Sequence, residues 1–325
     1  MASISRRAFV VGGAFGLAAT PPARAQAYPT KPVRIIVTFA PGGPADVMAR
    51  VIGQRMSALL GQQFFVENRG GAGGTLGARA SAQTEPDGYT LMLGTTSTLV
   101  VAPEVYRNVG YEPLKSFAPI ALLGNTSSLF VVNPAVPATT VQELVALAKA
   151  QPGKLSFSSP GVGSSPHLTG ERFKLRTGID ALHVPYKSGG QSVSAAVAGE
   201  VQFVFENPAV TLPLVRAGKV RALATTGEKR SAETADIPTM IEAGIPDFTS
   251  VSFTGLVAPA GTPAEIIARL NAAANDSLNS PDVHTALTRL AVEPRPGTPD
   301  DFAAFVARET EKWRAVVQAA KIRIE

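Results

Sequence analysis

The sequence has no cysteine among its 325 residues. Disulfide bonds, thiolate metal sites and thiol nucleophiles are therefore excluded. Beyond the N-terminal region, no apolar run approaches the roughly 20 residues that a membrane-spanning helix needs. The abundant alanine, valine and leucine are instead enough to bury a large core, most naturally in two lobes.

Basic and aromatic residues are too scattered to form an extended binding surface. Lys and Arg total 30 against 25 Asp and Glu, no basic run occurs, and only 6% of the residues are aromatic. This composition gives little support to a protein that binds nucleic acid or a membrane surface.

Signatures of catalysis and of cofactor binding are also missing. The glycine cluster at residues 70–77 has no G-x-G-x-x-G frame and no Walker lysine. Residues 161–165 do not spell G-x-S-x-G, and no H-E-x-x-H spacing offers a metal site. The sequence therefore predicts no cofactor and no metal. An exported hydrolase stays open as an alternative, because a catalytic triad is recognised by geometry and not by residue order.

The first 25 residues predict an export signal. Arg6 and Arg7 follow a serine and precede Phe9, which resembles a twin-arginine signal, and a general secretory signal is the alternative. An apolar stretch over residues 8–19 leads to an A-x-A cleavage pattern at residues 23–25. We therefore expect cleavage after Ala25 and a mature chain in the periplasm of a Gram-negative bacterium, with no stable membrane insertion.

One strand–loop–helix junction has the features of an anion-binding loop. The apolar run at residues 33–39 predicts a buried strand, and apolar residues recur at helical spacing over residues 47–60. Gly43 suits an N-cap and Pro44 the first helical position. Such a loop presents unpaired backbone N–H groups and the positive end of a helix dipole to a ligand. At any single junction, an ordinary connecting loop is the alternative.

Further strands end in similar loops. Small, hydroxyl or amide residues follow the strands that are predicted at residues 89–93, 155–158 and 201–205. Alternating strands and helices favour parallel α/β sheets, whose carboxyl edges are the usual place for ligands. Convergence of several such loops favours a binding site over a set of ordinary connections.

Helix starts can also be predicted. Capping boxes at residues 140–143 and 262–265 predict the beginnings of two helices, and a last helix begins at Thr298 with Trp313 on its buried stripe. Of the three histidines, we expect His284 to be solvated and His183 to be packed or hydrogen-bonded. His167 is the histidine placed to touch a ligand.

Six motifs, in order, resemble one protein family. They are residues 28–37, the Pro-Gly-Gly loop with Asp46, and residues 67–74, 86–91, 116–120 and 183–187. The chain resembles the substrate-binding receptors of the tripartite tricarboxylate transporter type, also called the Bug or TctC-like family. The resemblance extends from about Tyr28 to the C-terminus.

This resemblance implies an α/β, two-lobed periplasmic-binding-protein fold of type II. Each lobe would be a mainly parallel sheet flanked by helices, with a ligand cleft between lobes that close like a flytrap. Lobe 1 would comprise residues 28–124 plus 251–325, and lobe 2 residues 125–250. The implied function is capture of a small organic carboxylate for a membrane transporter or a signalling partner, without catalysis. A ligand sensor without a transporter is the alternative.

The resemblance also implies that backbone N–H groups and hydroxyls, rather than arginine, hold the ligand carboxylate. Carried over by position, the binding residues would be Ala40, Gly42, Gly43, Ala45, Asp46, Thr96, Ser97 and Thr98 in lobe 1, and Ser158, Ser159, Gly163, Ser164, Ser165, Glu206 and Asn207 in lobe 2.

Three positions depart from the usual pattern of the family. Pro44 removes one N–H from the first loop, so that anion contacts there should rest on Gly42, Gly43, Ala45 and Asp46. Val162 makes the second loop less polar. Glu206 replaces a shorter carboxylate, and it could narrow the cleft, meet a ligand ammonium group, or repel a second carboxylate.

Overall fold

The computed structural model describes residues 28–324, so the predicted export signal lies outside it. The strands are β1 Val33–Val37, β2 Phe64–Asn68, β3 Thr90–Thr95, β4 Phe117–Ser127, β5 Leu129–Val132, β6 Leu155–Ser159, β7 Ala181–Pro185, β8 Phe203–Glu206, β9 Arg221–Thr225, β10 Val251–Pro259 and β11 Glu293–Pro294. The helices are α1 Pro44–Leu60, α2 Thr75–Ala82, α3 Ala102–Val105, α4 Pro113–Ser116, α5 Val141–Ala150, α6 Ser165–Thr177, α7 Gly189–Ala198, α8 Pro208–Arg216, α9 Ala264–Leu278, α10 Pro281–Arg289 and α11 Pro299–Ala319.

The strands form two mixed sheets. The first has six strands in the order β11-β4-β10-β3-β1-β2, and the second has five in the order β7-β6-β8-β5-β9. Most strands in each sheet share one direction. The exceptions are β10 and the short β11 in the first sheet and β5 in the second, each antiparallel to its neighbours.

Helices cover both faces of each sheet, and this explains why consecutive side chains of β3, β5 and β8 are buried. In the first sheet, Leu91 and Leu93 face a cluster with α1 and α9, while Met92 faces a cluster with α2 and α11. Trp313 is completely buried in the second of these clusters, as the sequence predicts. In the second sheet, Phe130 and Leu129 likewise point into different clusters.

The two sheets are joined by chain segments that cross between them. β4 continues past the predicted lobe boundary at residue 124 and pairs with β10 as far as Ser127, directly before β5 begins. Thr226, at the end of the second sheet, holds this crossing together. Its hydroxyl accepts the N–H of Ser128 at 2.8 Å and donates to the carbonyl of Ser250 at 2.5 Å.

One sequence prediction needs correction at an element end. Helix α2 begins at Thr75, within the glycine cluster of residues 70–77. The capping box predicted at residues 262–265 is wrong, because Pro263 is the N-cap of α9 and the Thr262 hydroxyl bonds instead to the carbonyl of Pro259 at 2.8 Å. The box at Thr140 is confirmed, and the helix predicted to begin at Thr298 has Thr298 as its N-cap and starts at Pro299.

Over residues 28–324, none of the helices combines the length and the apolar character that crossing a membrane requires.

Candidate functional site

The loops that the sequence singles out lie at the carboxyl edges of the two sheets. In the first sheet, Val37 pairs with Asn68 and with Leu93, so β1, β2 and β3 end side by side. In the second sheet, Ser159 pairs with Pro185, and β8 ends next to them. Each sheet therefore gathers its predicted binding residues at one edge.

The loop before α1 is organised by the buried carboxylate of Asp46. Its Oδ2 accepts the N–H of Gly42 at 2.9 Å and the Nε–H of Arg50 at 3.0 Å, while Oδ1 accepts the amide of Asn68 at 2.9 Å. The hydrogen bond from Arg50, aided by those from Gly42 and Asn68, lowers the pKa of Asp46 to about 2. Asp46 is therefore a charged anchor for the loop, and the Gly42 N–H that was expected to contact an anion is already used.

Other donors of this loop remain free. Gly43 is the N-cap of α1 without a side-chain cap, and Pro44 occupies the first helical position, as predicted. Within residues 28–324, the backbone N–H groups of Gly43, Ala45 and Asp46 have no hydrogen-bond acceptor. They lie in the first turn of a 17-residue helix, where the dipole adds to their attraction for an anion.

The hydroxyls that follow β3 divide into structural and free groups. Thr98 is completely buried and closes a turn by accepting the N–H of Thr95 at 3.0 Å. Thr96 Oγ1 accepts the N–H of Phe253 at 2.8 Å. Ser97 is half-buried, and its hydroxyl has no partner in the part of the chain that the structure describes. Of the three, Ser97 is the side chain that a ligand can use.

Most side chains of the second-lobe loop support its shape. Ser158 is buried, and its hydroxyl bonds to the carbonyl of Ser192 at 2.9 Å. Ser164 caps α6 by accepting the N–H of His167. The N–H of Gly163, another expected ligand donor, instead meets His167 Nδ1 at 3.1 Å. Ser165 differs, because no acceptor for its backbone N–H is found in residues 28–324.

Glu206 lies buried at the end of β8. Its Oε1 accepts the N–H of Asn207 at 2.9 Å, while Oε2 is buried without a partner among the described residues. Burial raises the pKa of this carboxyl. A Cβ atom added to Gly189, the first residue of α7, would come within 2.7 Å of Oε2, so only glycine leaves room for the carboxyl there. Asn207 itself caps α8.

Strand β10 brings loops of the two lobes together. Ser252 donates its hydroxyl to Ser165 Oγ at 2.9 Å, and the next residue, Phe253, donates its N–H to Thr96. The loop around Gly163 also lies against Ile324 of the first lobe. For the loop before α1, by contrast, no hydrogen bond to the second lobe occurs within residues 28–324.

Ser252 is the participant that sequence reasoning missed. It is one of two hydroxyl residues in β10, and only the pairing of β10 between β3 and β4 places it beside Ser165. A single serine in a strand carries no signal that could have identified it.

One serine–histidine pair invites a catalytic interpretation. Ser159 Oγ lies 2.7 Å from His183 Nε2, within reach for a nucleophile and its base. Ser159, however, is completely buried, and no carboxylate of residues 28–324 bonds to His183. The described residues also contain no group of three or more potential metal ligands. The described residues therefore do not complete a catalytic triad at this pair.

Comparisons with known proteins agree on one group of relatives. The model of the family described as tripartite tricarboxylate transporter family receptor matches residues 48–322. The protein BugT of Bordetella pertussis is 37% identical over 311 residues, which cover 95% of each chain.

Solved structures extend this similarity to the fold. An R. palustris protein solved with adipate, Rpa4515, is 34% identical with a TM-score of 0.80, over 91% of this chain and 99% of that one. MatC from Rhodopseudomonas palustris, with bound malate, is 35% identical with a TM-score of 0.76, over 89% of this chain and 100% of that one.

Proposed function

This chain belongs to the tripartite tricarboxylate transporter receptor (Bug) family, and we propose that it holds a small organic carboxylate between its lobes and delivers it to a membrane transporter or a signalling partner. The family consists of solute-binding receptors and not of enzymes. The expected two-lobed fold of periplasmic binding proteins is confirmed. Residence in the periplasm of a Gram-negative bacterium is part of the proposal.

The observation that carries the proposal is the set of free donors at the sheet edges. The N–H groups of Gly43, Ala45 and Asp46 lie at the carboxyl edge of the first sheet. The N–H of Ser165 lies at the carboxyl edge of the second sheet. A carboxylate has four lone-pair positions and can accept hydrogen bonds from both sides. Donors of this kind match the adipate and malate that relatives hold.

Neutral donors also suit a protein that must release what it binds. A buried arginine or lysine without its ligand would cost several kcal/mol in desolvation. Backbone N–H groups at a helix start attract an anion through the dipole and remain tolerable when they are exposed to water. Reversible capture therefore follows from the type of donor.

The proposal is tested by ligand-induced stabilisation of the mature protein. A panel should contain monocarboxylates, adipate, malate, tricarboxylates, amino acids and aromatic acids. A ligand at about one hundred times its dissociation constant adds about 2.7 kcal/mol to the free energy of unfolding. We expect at least one acid to raise the melting temperature by several degrees. If none does, and ester or amide substrates are turned over instead, the receptor function is wrong.

A substitution at Gly43 tests whether the first loop contacts the ligand. A Cβ atom at this position would meet nothing closer than Ala40 O at 3.7 Å, so Gly43→Val should fold normally. Its side chain would cover the free N–H groups, and we expect calorimetry to show affinity lowered by at least about tenfold. Ala264→Val on the exposed start of α9 is the matched control. Unchanged affinity in Gly43→Val would remove this loop from the site.

A further inference from the structure

We propose that His167 and His183 are positioning residues, which hold the loop from Ser159 to Ser165 in the shape that presents its free donors to the ligand. The proposal deepens the receptor function and rests on it, since it concerns the second-lobe side of the same site. Neither imidazole is required to touch the ligand.

His167 secures the end of the loop next to α6. It is the third residue of this helix, and its backbone N–H points to the hydroxyl of the N-cap residue Ser164. Its side chain turns back, and Nδ1 accepts the N–H of Gly163 at 3.1 Å. This is the reciprocal arrangement of a capping box, with a histidine in the place of the usual Glu or Gln and with the donor N–H displaced by one residue, from Ser164 to Gly163.

His183 secures the other end of the loop. Its Nε2 lies 2.7 Å from the hydroxyl of Ser159, the last residue of β6. Ser159 Oγ in turn accepts the N–H of Gly161 at 3.1 Å. The Ser164 hydroxyl donates to the carbonyl of Gly161 at 2.7 Å, so the two ends are linked through this glycine.

The two rings support each other by packing. Their centroids are 3.9 Å apart in a stacked arrangement, and the ring of Phe157 lies 5.0 Å from that of His183. A Cβ atom at Gly170 would come within 2.1 Å of the Phe157 ring, so the absence of a side chain on α6 makes room for this stack. Only 4% of His167 is exposed.

The hydrogen bond at His167 requires a neutral ring. Nδ1 of His167 can accept the N–H of Gly163 only if that nitrogen carries no proton, which places the proton on Nε2. Burial lowers the pKa of His167 to about 3 and that of His183 to about 4, with Lys174 contributing in both cases. With His167 neutral, the Gly163 N–H stays bound to its ring, and the N–H of Ser165 remains available to the ligand.

The two hydrogen bonds use different ring nitrogens, and this allows a crossed set of variants. Asn places its amide oxygen near the position of Nδ1, while Gln reaches the position of Nε2. We therefore expect His167→Asn and His183→Gln to retain the conformation of the loop. His167→Gln and His183→Asn should lose it. His284→Asn, at an exposed position, is the control.

Two measurements on all five variants test the proposal. Calorimetry with the tightest-binding carboxylate should show affinity lowered by about tenfold or more for His167→Gln and His183→Asn. Losses of this size are typical when a residue that orients a binding group is replaced, as is known for the residues that support metal ligands. The two matched variants should stay within about threefold of the wild type. Hydrogen exchange by NMR should show a Gly163 amide that exchanges faster in His167→Gln than in His167→Asn.

The outcomes separate this proposal from the receptor function. If the wild type binds no carboxylate, the receptor function is wrong, while the exchange data still decide whether the histidines hold the loop. If Asn and Gln behave alike at both positions, the positioning role is wrong. NMR of the wild-type rings gives a further check, because a protonated Nδ1 in His167 would also overturn it.

Discussion

At the scale of single residues, buried carboxyl groups decide which donors are free. Asp46 and Glu206 are both almost completely buried, but Asp46 accepts hydrogen bonds from Arg50 and two neutral donors, whereas Glu206, in the described part of the chain, accepts only the N–H of Asn207. Their pKa values consequently move in opposite directions. This contrast makes the two residues a matched pair for measurements against pH.

Asp46→Asn should destabilise the protein by about 1–3 kcal/mol at pH 7, because hydrogen bonds to a charged acceptor are lost. The folded-state pKa of about 2 lies below the ordinary aspartate pKa of 3.8, so the carboxylate contributes stability above pH 4 that is lost as the pH falls towards 2. Urea unfolding of wild type and variant should therefore converge in acid. Asp236→Asn, on the exposed surface, is the control. A difference that stays constant with pH would contradict this account.

Glu206→Gln should have the opposite effect. Burial raises the folded-state pKa of Glu206, so its contribution to stability is present at low pH and is lost as the pH rises through that pKa. We expect the variant to be more stable than the wild type by at least about 1 kcal/mol at pH 8, since it removes an unpaired buried charge. The advantage should shrink in acid. Glu228→Gln, at an exposed site, should show no such trend.

At the scale of elements, helix starts can look alike in sequence and differ in structure. Glu143 completes a capping box at α5, where Oε2 accepts the N–H of Thr139 at 2.6 Å and the N–H of Thr140 at 3.3 Å. Glu265 stands at the corresponding place of the second predicted box, but α9 has no side-chain cap. The difference arises because the hydroxyl of Thr262 turns to the carbonyl of Pro259.

The two glutamates provide a direct test of this difference. Glu143→Ala should lower the free energy of unfolding more than Glu265→Ala does, because the N–H groups of Thr139 and Thr140 lose their acceptor. Glu265→Ala should change it by less than about 0.5 kcal/mol, as expected for an exposed residue without such a role. Chemical denaturation measures both. Equal losses would mean that the box at residues 262–265 forms after all.

At the scale of the whole molecule, the hydrogen bonds at β10 connect the lobes. Ser252 links the first sheet to Ser165 in the second lobe through one exchangeable hydroxyl contact. In a two-lobed receptor, such a contact favours the closed arrangement, and a ligand bound by both lobes adds to it. Closure should therefore be visible as a change in overall size.

We expect small-angle scattering to show a smaller radius of gyration when the ligand saturates the protein. Ser252→Ala removes a hydrogen bond worth about 1 kcal/mol and should shift the unliganded population towards the open form by about fivefold. The variant should still contract with ligand, at higher concentration. Ser194→Ala, exposed on α7, is the control. Binding without any change in size would contradict closure about β10.

The sequence by itself determined most element types, the family and the places where the loops between strands and helices begin. Apolar strands and periodic helices are local patterns, and Gly43, Pro44 and Thr140 have the predicted roles because caps depend on neighbours in the chain. Trp313 follows from helical spacing in the same way.

Only the structure decided which of the expected groups are free. Gly42 and Gly163 donate their N–H groups to Asp46 and His167, four residues along the chain, where the side-chain conformation sets the bond. Thr96 is occupied by a tertiary contact, because its hydroxyl accepts the N–H of Phe253, 157 positions away. The contact of Ser165 with Ser252 joins residues 87 positions apart. A hydrogen bond depends on where two groups meet in space, and sequence patterns describe which groups exist but not which partners occupy them.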